Sequence, residues 1–138
     1  MAEYLAFAGN HPFLIAAAVL LILVIAVSEV RRARRPWKEL GPLEAVRLIN
    51  AGAQLVDVRG HDAYRAGHII NARHIPLAEL GDKAAKLDAG KPVIVYCDTG
   101  ITSGRGAAQL AGRGFGEVYN LRGGIAAWKQ ENMPVAKG

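Results

Sequence analysis

The chain has 138 residues, a formal net charge of +5 and an apolar fraction of 51%. Length favours one domain, with enough chain for a modest core. The single cysteine excludes an intramolecular disulfide, and four scattered histidines (His11, His61, His68, His74) give no paired spacing for a structural zinc. Residues 1–37 contribute +2 of the charge and residues 38–138 contribute +3. The second part is therefore only mildly basic. It carries no dense Lys/Arg run with interleaved aromatics, so no nucleic-acid partner is expected.

The first element is apolar throughout. Pro12 suits the first turn of a helix, and residues 13–27 contain no polar side chain. Nineteen residues from Pro12 to Val30 reach about 28 Å, against a hydrocarbon core of about 30 Å. Arg31, Arg32, Arg34 and Arg35 follow at once, and Trp37 is expected near interface depth. Ala26-Val-Ser28 resembles a cleavage site, but residues 1–11 carry Glu3 and no Lys or Arg, the reverse of a secretory signal. A soluble core helix would need a polar face. The expected organisation is a short extracytoplasmic N-terminus (1–11), a transmembrane anchor helix (12–30), a basic juxtamembrane linker (31–39) and a globular domain (40–136). Positive charge on the C-terminal flank predicts a single pass of the inner membrane with that domain in the cytoplasm. The bilayer is thus one expected partner.

In the globular part, Gly41-Pro42 opens a short helix closed by Gly52. Residues 54–58 read as a strand with Asp57 at its end, 61–66 as a short helix closed by Gly67, and 72–75 as an extended piece stopped by Pro76. A helix is expected over 78–87, with Leu77, Leu80, Ala84 and Leu87 as its buried stripe. Pro92-Val-Ile-Val-Tyr96 is a continuous apolar run that suits a central parallel strand. A helix over 103–113, a strand over 117–121 and a helix over 124–131 follow. This alternation predicts an α/β fold, a parallel sheet with helices on both faces.

The strand at 92–96 runs into Cys97-Asp98-Thr99-Gly100-Ile101-Thr102 and then, from Ser103, a helix. Ligands of open α/β sheets bind beyond the carboxyl ends of strands. Unpaired N–H groups and the dipole of a helix start favour an anion there, and Gly100 allows the tight turn that aims them inward. A thiolate or persulfide at Cys97 would be stabilised without a histidine base, and its pKa would lie below ~8.5. From this context alone an inert, buried cysteine stays equally open.

The loop resembles the active-site loop of the rhodanese-like sulfurtransferases. Asp57-Val58-Arg59, Tyr64, Gly67-His68-Ile69, Ala72 and Ile75-Pro76 are similar to that family's first signature. Asn120-Leu121-Arg122-Gly123-Gly124-Ile125 with Trp128 is similar to its closing signature, and Met133-Pro134-Val135 to its common end. The N-terminal anchor resembles that of small membrane-bound bacterial members. The resemblance implies a five-stranded parallel sheet flanked by helices and a Cys97 persulfide. It also implies substrate contact by Asp98, Thr99, Gly100, Ile101, Thr102 and Ser103, and no cofactor or metal. Sulfane sulfur would pass from a small donor or a protein persulfide to a thiol acceptor. Thr102 stands where many single-domain members have Arg, and Asp98 gives the loop a negative charge with no cation of its own. Thiosulfate is therefore expected to be a poor donor.

The alternative is a catalytically silent rhodanese-fold module that the anchor places beside a membrane-protein partner, since fold alone does not establish function. A Cys-x5-Arg phosphatase is excluded because position 103 is Ser. Structural roles are expected for Asp57, as a turn cap or as a partner of Arg59, and for His68 as a turn or packing residue. Tyr119 and Trp128 are expected in the core, and Arg105 in solvent.

Overall fold

The computed structural model describes all 138 residues and divides into two compact units, Met1–Arg35 and Pro36–Gly138. The first unit is two helices, α1 (Ala2–Asn10) and α2 (Pro12–Ala33), with Pro12 at the start of α2 as expected. Helix α2 has 22 residues, none of them buried, and its best window has a mean hydropathy of 2.8. At ~1.5 Å per residue it is about 33 Å long, sufficient to cross a membrane. The helix runs on through Arg31 and Arg32, so the first arginines extend it rather than starting a linker.

The second unit is an α/β domain. Its elements are β1 (Lys38–Leu40), α3 (Pro42–Asn50), β2 (Gln54–Asp57), α4 (His61–Ala66), β3 (His68–Ile69) and β4 (Arg73–His74). They continue with α5 (Leu80–Lys83), β5 (Val93–Tyr96), α6 (Ile101–Ala111), β6 (Val118–Leu121), α7 (Gly124–Gln130) and β7 (Val135–Ala136). The main sheet is five-stranded and parallel in the order β1-β6-β5-β2-β4. Strand β5 sits at its centre with all four residues buried, as its uncharged β-branched run predicts. Alternate side chains of β5 enter two cores on opposite faces. Val93 and Val95 join Val56, Leu80, Ala107 and Leu110, while Ile94 and Tyr96 join Leu55, Ile69, Leu121 and Trp128.

Four features of this domain depart from the sequence expectation. Lys38 and Glu39, read as the end of a linker, form with Leu40 the edge strand β1, which pairs with β6 from Lys38↔Tyr119 to Leu40↔Leu121. Trp37, expected as a membrane-interface residue, packs against the domain core, with its ring 3.6 Å from a Cβ placed on Gly104. The helix expected over 78–87 is broken: a 3-10 turn at Leu77–Glu79, four α-helical residues in α5, and a second 3-10 turn at Ala84–Lys86. Its apolar stripe is nonetheless right, for Leu80, Ala84 and Leu87 are all buried and Leu77 packs against them. A small antiparallel ladder, β3 with β7, was also not foreseen and ties the chain end to Ile69.

Helix α6 packs closely on this sheet through Gly106. A Cβ there would lie 3.2 Å from Leu80 Cδ2 and 3.3 Å from Val95 Cγ1. Glycine is a poor helix residue, and here it is required by the approach of the helix to β5. Gly106→Val should therefore destabilise the domain by about 1–3 kcal/mol, the usual cost of overpacking a filled core. Urea unfolding of the full chain in detergent, followed by tryptophan fluorescence, measures it; an unchanged midpoint would contradict the packing argument.

Candidate active site

Beyond the carboxyl end of β5 the chain turns sharply and enters α6. Gly100 is the residue before the helix, at φ +96°, a conformation that side-chain-bearing residues adopt at a cost. A Cβ at Gly100 would also stand 3.2 Å from Leu121 O and 3.3 Å from Gly123 N. Helix α6 begins at Ile101, two residues earlier than its polar pattern suggests, so the loop proper is Cys97 to Gly100.

The turn is fixed from the other side by the start of α7. Ile125 N–H donates to Cys97 O (2.9 Å) and Ala126 N–H to Asp98 O (3.2 Å). Gly124, at φ +60°, allows this contact: a Cβ there would overlap the backbone of Cys97 and Asp98. With the carbonyls of 97 and 98 held outward, the following amides face the sulfur. Gly100 N–H donates to Cys97 Sγ at 3.1 Å and Ser103 N–H at 3.3 Å. Asn120, fully buried on β6, braces the loop by donating from Nδ2 to Gly100 O (2.9 Å).

Burial pushes the Cys97 thiol up; the Ser103 hydroxyl and then the N–H groups of Ser103, Thr99 and Gly100 outweigh it, and the pKa is lowered from its ordinary value. The hydroxyl has one proton, and in this arrangement it donates to Asn120 Oδ1. Turned toward Sγ it would add to the amides, which are the fixed part of the cradle. No histidine contacts the sulfur. His68 bonds to Tyr64 O and His74 to Arg59 O, and both rings stack on Tyr64, at centroid distances of 3.9 and 4.5 Å. His68 is thus a packing residue, and Arg105 is exposed, as the sequence suggests.

The sulfur lies at a cavity of about 330 Å³ lined by Val58, Arg59, Gly60, Ala63, Cys97, Asp98, Thr99 and Thr102. Of the expected site residues, Asp98, Thr99 and Thr102 line this cavity, and Gly100 and Ser103 present backbone N–H groups to Sγ. Ile101 is 77% exposed and does neither.

The residue missed from sequence is Arg59. It follows β2, and its side chain is 7% exposed. Nε reaches both oxygens of Asp57 (3.1 and 3.2 Å), Nη2 reaches Asp57 Oδ2 (2.8 Å) and Gly67 O (2.6 Å), and Nη1 reaches Asp98 Oδ1 (3.2 Å). Burial works against its charge, and the bonds to Asp57 and Asp98 more than offset this, so its pKa is raised. The loop itself has no cation, but the site has one. The Asp57–Arg59 pairing that signals it was legible; its position in the cavity was not, because 37 residues separate Arg59 from Cys97.

Asp57 is fully buried, and beside it the Tyr96 phenol, raised in pKa by burial and then by the Asp57 carboxylate, accepts Ile69 N–H at 3.0 Å. Asp57→Ala would leave the guanidinium buried without its main counter-charge. It should cost about 3–5 kcal/mol of stability, the range for breaking one partner of a buried pair. Denaturant unfolding checks this, and a loss under 1 kcal/mol would show that the pair behaves as a surface ion pair.

Known proteins resemble this chain in sequence and in fold. A model of the rhodanese-like domain matches residues 42–131. A Coxiella burnetii protein named thiosulfate sulfurtransferase GlpE is 43% identical over 94 residues, covering 67% of this chain and 88% of that protein. Uncharacterized protein YibN of Escherichia coli K12 is 33% identical over 142 residues, covering 100% of this chain and 99% of that one. Among solved structures, a rhodanese-related protein from Thermoplasma volcanium is similar with a TM-score of 0.68 at 28% identity, covering 74% of this chain and all of that chain. The thiosulfate sulfurtransferase from Pseudomonas aeruginosa is similar with a TM-score of 0.70 at 30% identity, over 82% of this chain and 22% of that larger one. With the family's domain model matching most of the chain, and with solved structures of that family sharing its fold, the protein belongs to the rhodanese-like family of sulfurtransferases.

Proposed function

We propose that this protein is a membrane-anchored sulfurtransferase, or sulfur carrier, that holds sulfane sulfur as a persulfide on Cys97. The observation that carries the reading is the pair of amide donors on Sγ, from Gly100 and Ser103, at the start of an 11-residue helix. They stabilise a sulfur anion where it forms, with no base required. The name of the Coxiella burnetii relative supports the reaction class.

In the first step the Cys97 thiolate attacks the sulfane sulfur of a donor. Its electron pair forms the new S–S bond, the donor's bond to that sulfur breaks, and the donor remainder leaves with that bond's electron pair. With thiosulfate, the leaving group is sulfite. In the second step an acceptor thiolate attacks the outer sulfur of the persulfide, and Cys97 departs as a thiolate. Charge is conserved in both steps, and the same amides hold the anion before and after. The donor is a small sulfane compound or a protein persulfide, and the acceptor is a thiol.

Helix α2 is the anchor. Its arginine-rich C-terminal end would stay in the cytoplasm, with the N-terminus outside and the domain at the inner face of the membrane. The anchored domain would then work in a reducing compartment, where a lone thiol stays free. In spheroplasts, external protease should leave the C-terminal domain intact, and carbonate washing should leave the chain in the membrane fraction. A mature periplasmic form starting near Glu29 would overturn the anchor.

Incubation of the full chain in detergent with sulfane donors, followed by intact mass, should add one sulfur atom to Cys97. Cys97→Ser should abolish the adduct, because a hydroxyl is too weakly acidic to supply the anion near neutral pH. Gly100→Val should cripple it while keeping the thiol, since a β-branched side chain resists the left-handed turn. The alkylation rate of the native thiol should rise with a midpoint below ~8.5, the value of a free cysteine. The linkage has a definite sign. A depressed folded-state pKa stabilises the fold above the unfolded pKa and loses that contribution as pH falls through the folded value. The stability gap between the native chain and Cys97→Ser should therefore widen as pH rises toward the free-thiol range. A chain that gains no sulfur from any donor, with a thiol titrating like free cysteine, would be a silent interaction module for a membrane partner.

A further inference from the structure

Arg59 is the one cation among the residues lining the Cys97 cavity, and its donors are not equally committed. Nε and Nη2 bond to buried groups, the Asp57 carboxylate and Gly67 O. Nη1 bonds to Asp98 Oδ1 at 3.2 Å, and Asp98 has a side chain that is 71% exposed. The first edge of the guanidinium is thus a fixed structural clamp. The second is occupied by a carboxylate standing in water on the rim of the cavity.

An ion pair with one partner in solvent is weak, because water competes for the exposed carboxylate and salt screens the attraction. Asp98 turns on two side-chain torsions, while its backbone is held by Ala126 N–H. Its carboxylate can therefore leave Arg59 without moving the loop. A planar guanidinium, always charged, suits an oxyanion at the vacated edge.

We propose that Arg59 Nη1 is the oxyanion-binding donor of this site and that Asp98 is its internal occupant, which the anionic group of a sulfur donor must displace. The proposal rests on the sulfurtransferase reading and names the donor class it implies. Sulfonate- or carboxylate-bearing donors compete with Asp98 for Nη1, whereas a persulfide with no anionic group beside its sulfur enters without that competition. Asp57, Arg59 and Asp98 together carry a net charge of −1, so a dianion meets repulsion until Asp98 swings away. The weak use of thiosulfate expected from sequence thus has a different cause. The site does not lack a cation; its cation is engaged.

The test uses sulfate, a dianionic oxyanion with no sulfane sulfur to transfer, and the full-length chain in detergent micelles. The background is Cys97→Ser, so that no sulfur chemistry can occur, and ionic strength is held constant with chloride. Adding Asp98→Asn should tighten sulfate binding about fivefold, the upper range for one partly exposed charge pair. The Arg59 guanidinium ¹⁵N signals should shift on saturation. Adding Arg59→Lys as well should remove the gain, because an ammonium cannot clamp Asp57 and present a second edge to the cavity. The proposal is overturned if Asp98→Asn gives no gain, if the gain survives Arg59→Lys, or if the Arg59 signals stay still while sulfate binds. Should Arg59→Lys fail to fold, the guanidinium signals of the Asp98→Asn chain decide alone. No sulfur moves in this experiment, so its failure would leave the Cys97 persulfide standing, and a missing persulfide would leave the oxyanion position standing.

Discussion

The site depends on which way two carbonyls point. Cys97 O and Asp98 O accept N–H groups from Ile125 and Ala126, so they face α7 rather than the cavity. In a short turn, fixing the carbonyls fixes the amides that follow. Those of Gly100 and Ser103 then have no better acceptor than Sγ. The contact has a steric condition as well as a polar one. It requires Gly124, because any side chain there would occupy the space of the Cys97–Asp98 backbone. The Gly-Gly of the closing signature is therefore part of the cysteine loop in space, although 25 residues separate it from Cys97 in sequence.

A second layer holds this arrangement to the sheet. Asn120 on β6 bonds to Gly100 O and to the Ser103 hydroxyl, joining the loop and the start of α6 to a buried strand. From the β2 side, Arg59 joins Asp57, the Gly67 turn and Asp98. Apart from the exposed Asp98 carboxylate these side chains are buried, and each buried one is satisfied, which is the condition under which a buried network rigidifies rather than destabilises. The two networks differ in character. The Asn120 side is neutral and carries no adjustable charge. The Arg59 side is ionic and ends at an exposed carboxylate, so it is the side where a charged ligand can exchange for a protein group.

Much of this was legible in the sequence because it is written in local patterns. The run Val93–Tyr96 specifies a buried central strand by its composition. Gly100 marks a left-handed turn, and Cys97 lies where strand gives way to helix. What stayed hidden has physical reasons. Strand β1 is three residues with two exposed, too short to show alternation, and it exists only because β6 offers it a partner. The segment from Leu77 to Leu87 kept its apolar stripe yet broke its helix. Burial spacing dictates which side chains face inward; it does not dictate which carbonyl each N–H selects, and 3-10 turns can serve the same spacing.

Arg59 is the instructive omission. Sequence reasoning paired it with Asp57, two residues away, and the pair is real. A guanidinium, however, has two edges, and satisfying one says nothing about the other. Only the parallel alignment of β2 with β5, with Asp57 opposite Tyr96, brings the residue after next in one strand beside the loop that follows the next. The charge of a cavity is therefore a property of sheet register, not of the loop that bears the nucleophile. Thr102 in place of Arg leaves the loop without a cation, but the neighbouring strand end supplies one that is already shared. Two carboxylates on one guanidinium make a site whose affinity for anions is set by how readily the outer carboxylate yields. That outer position is Asp98, the residue directly after the cysteine, so its identity bears on donor choice without touching the amides that hold the sulfur.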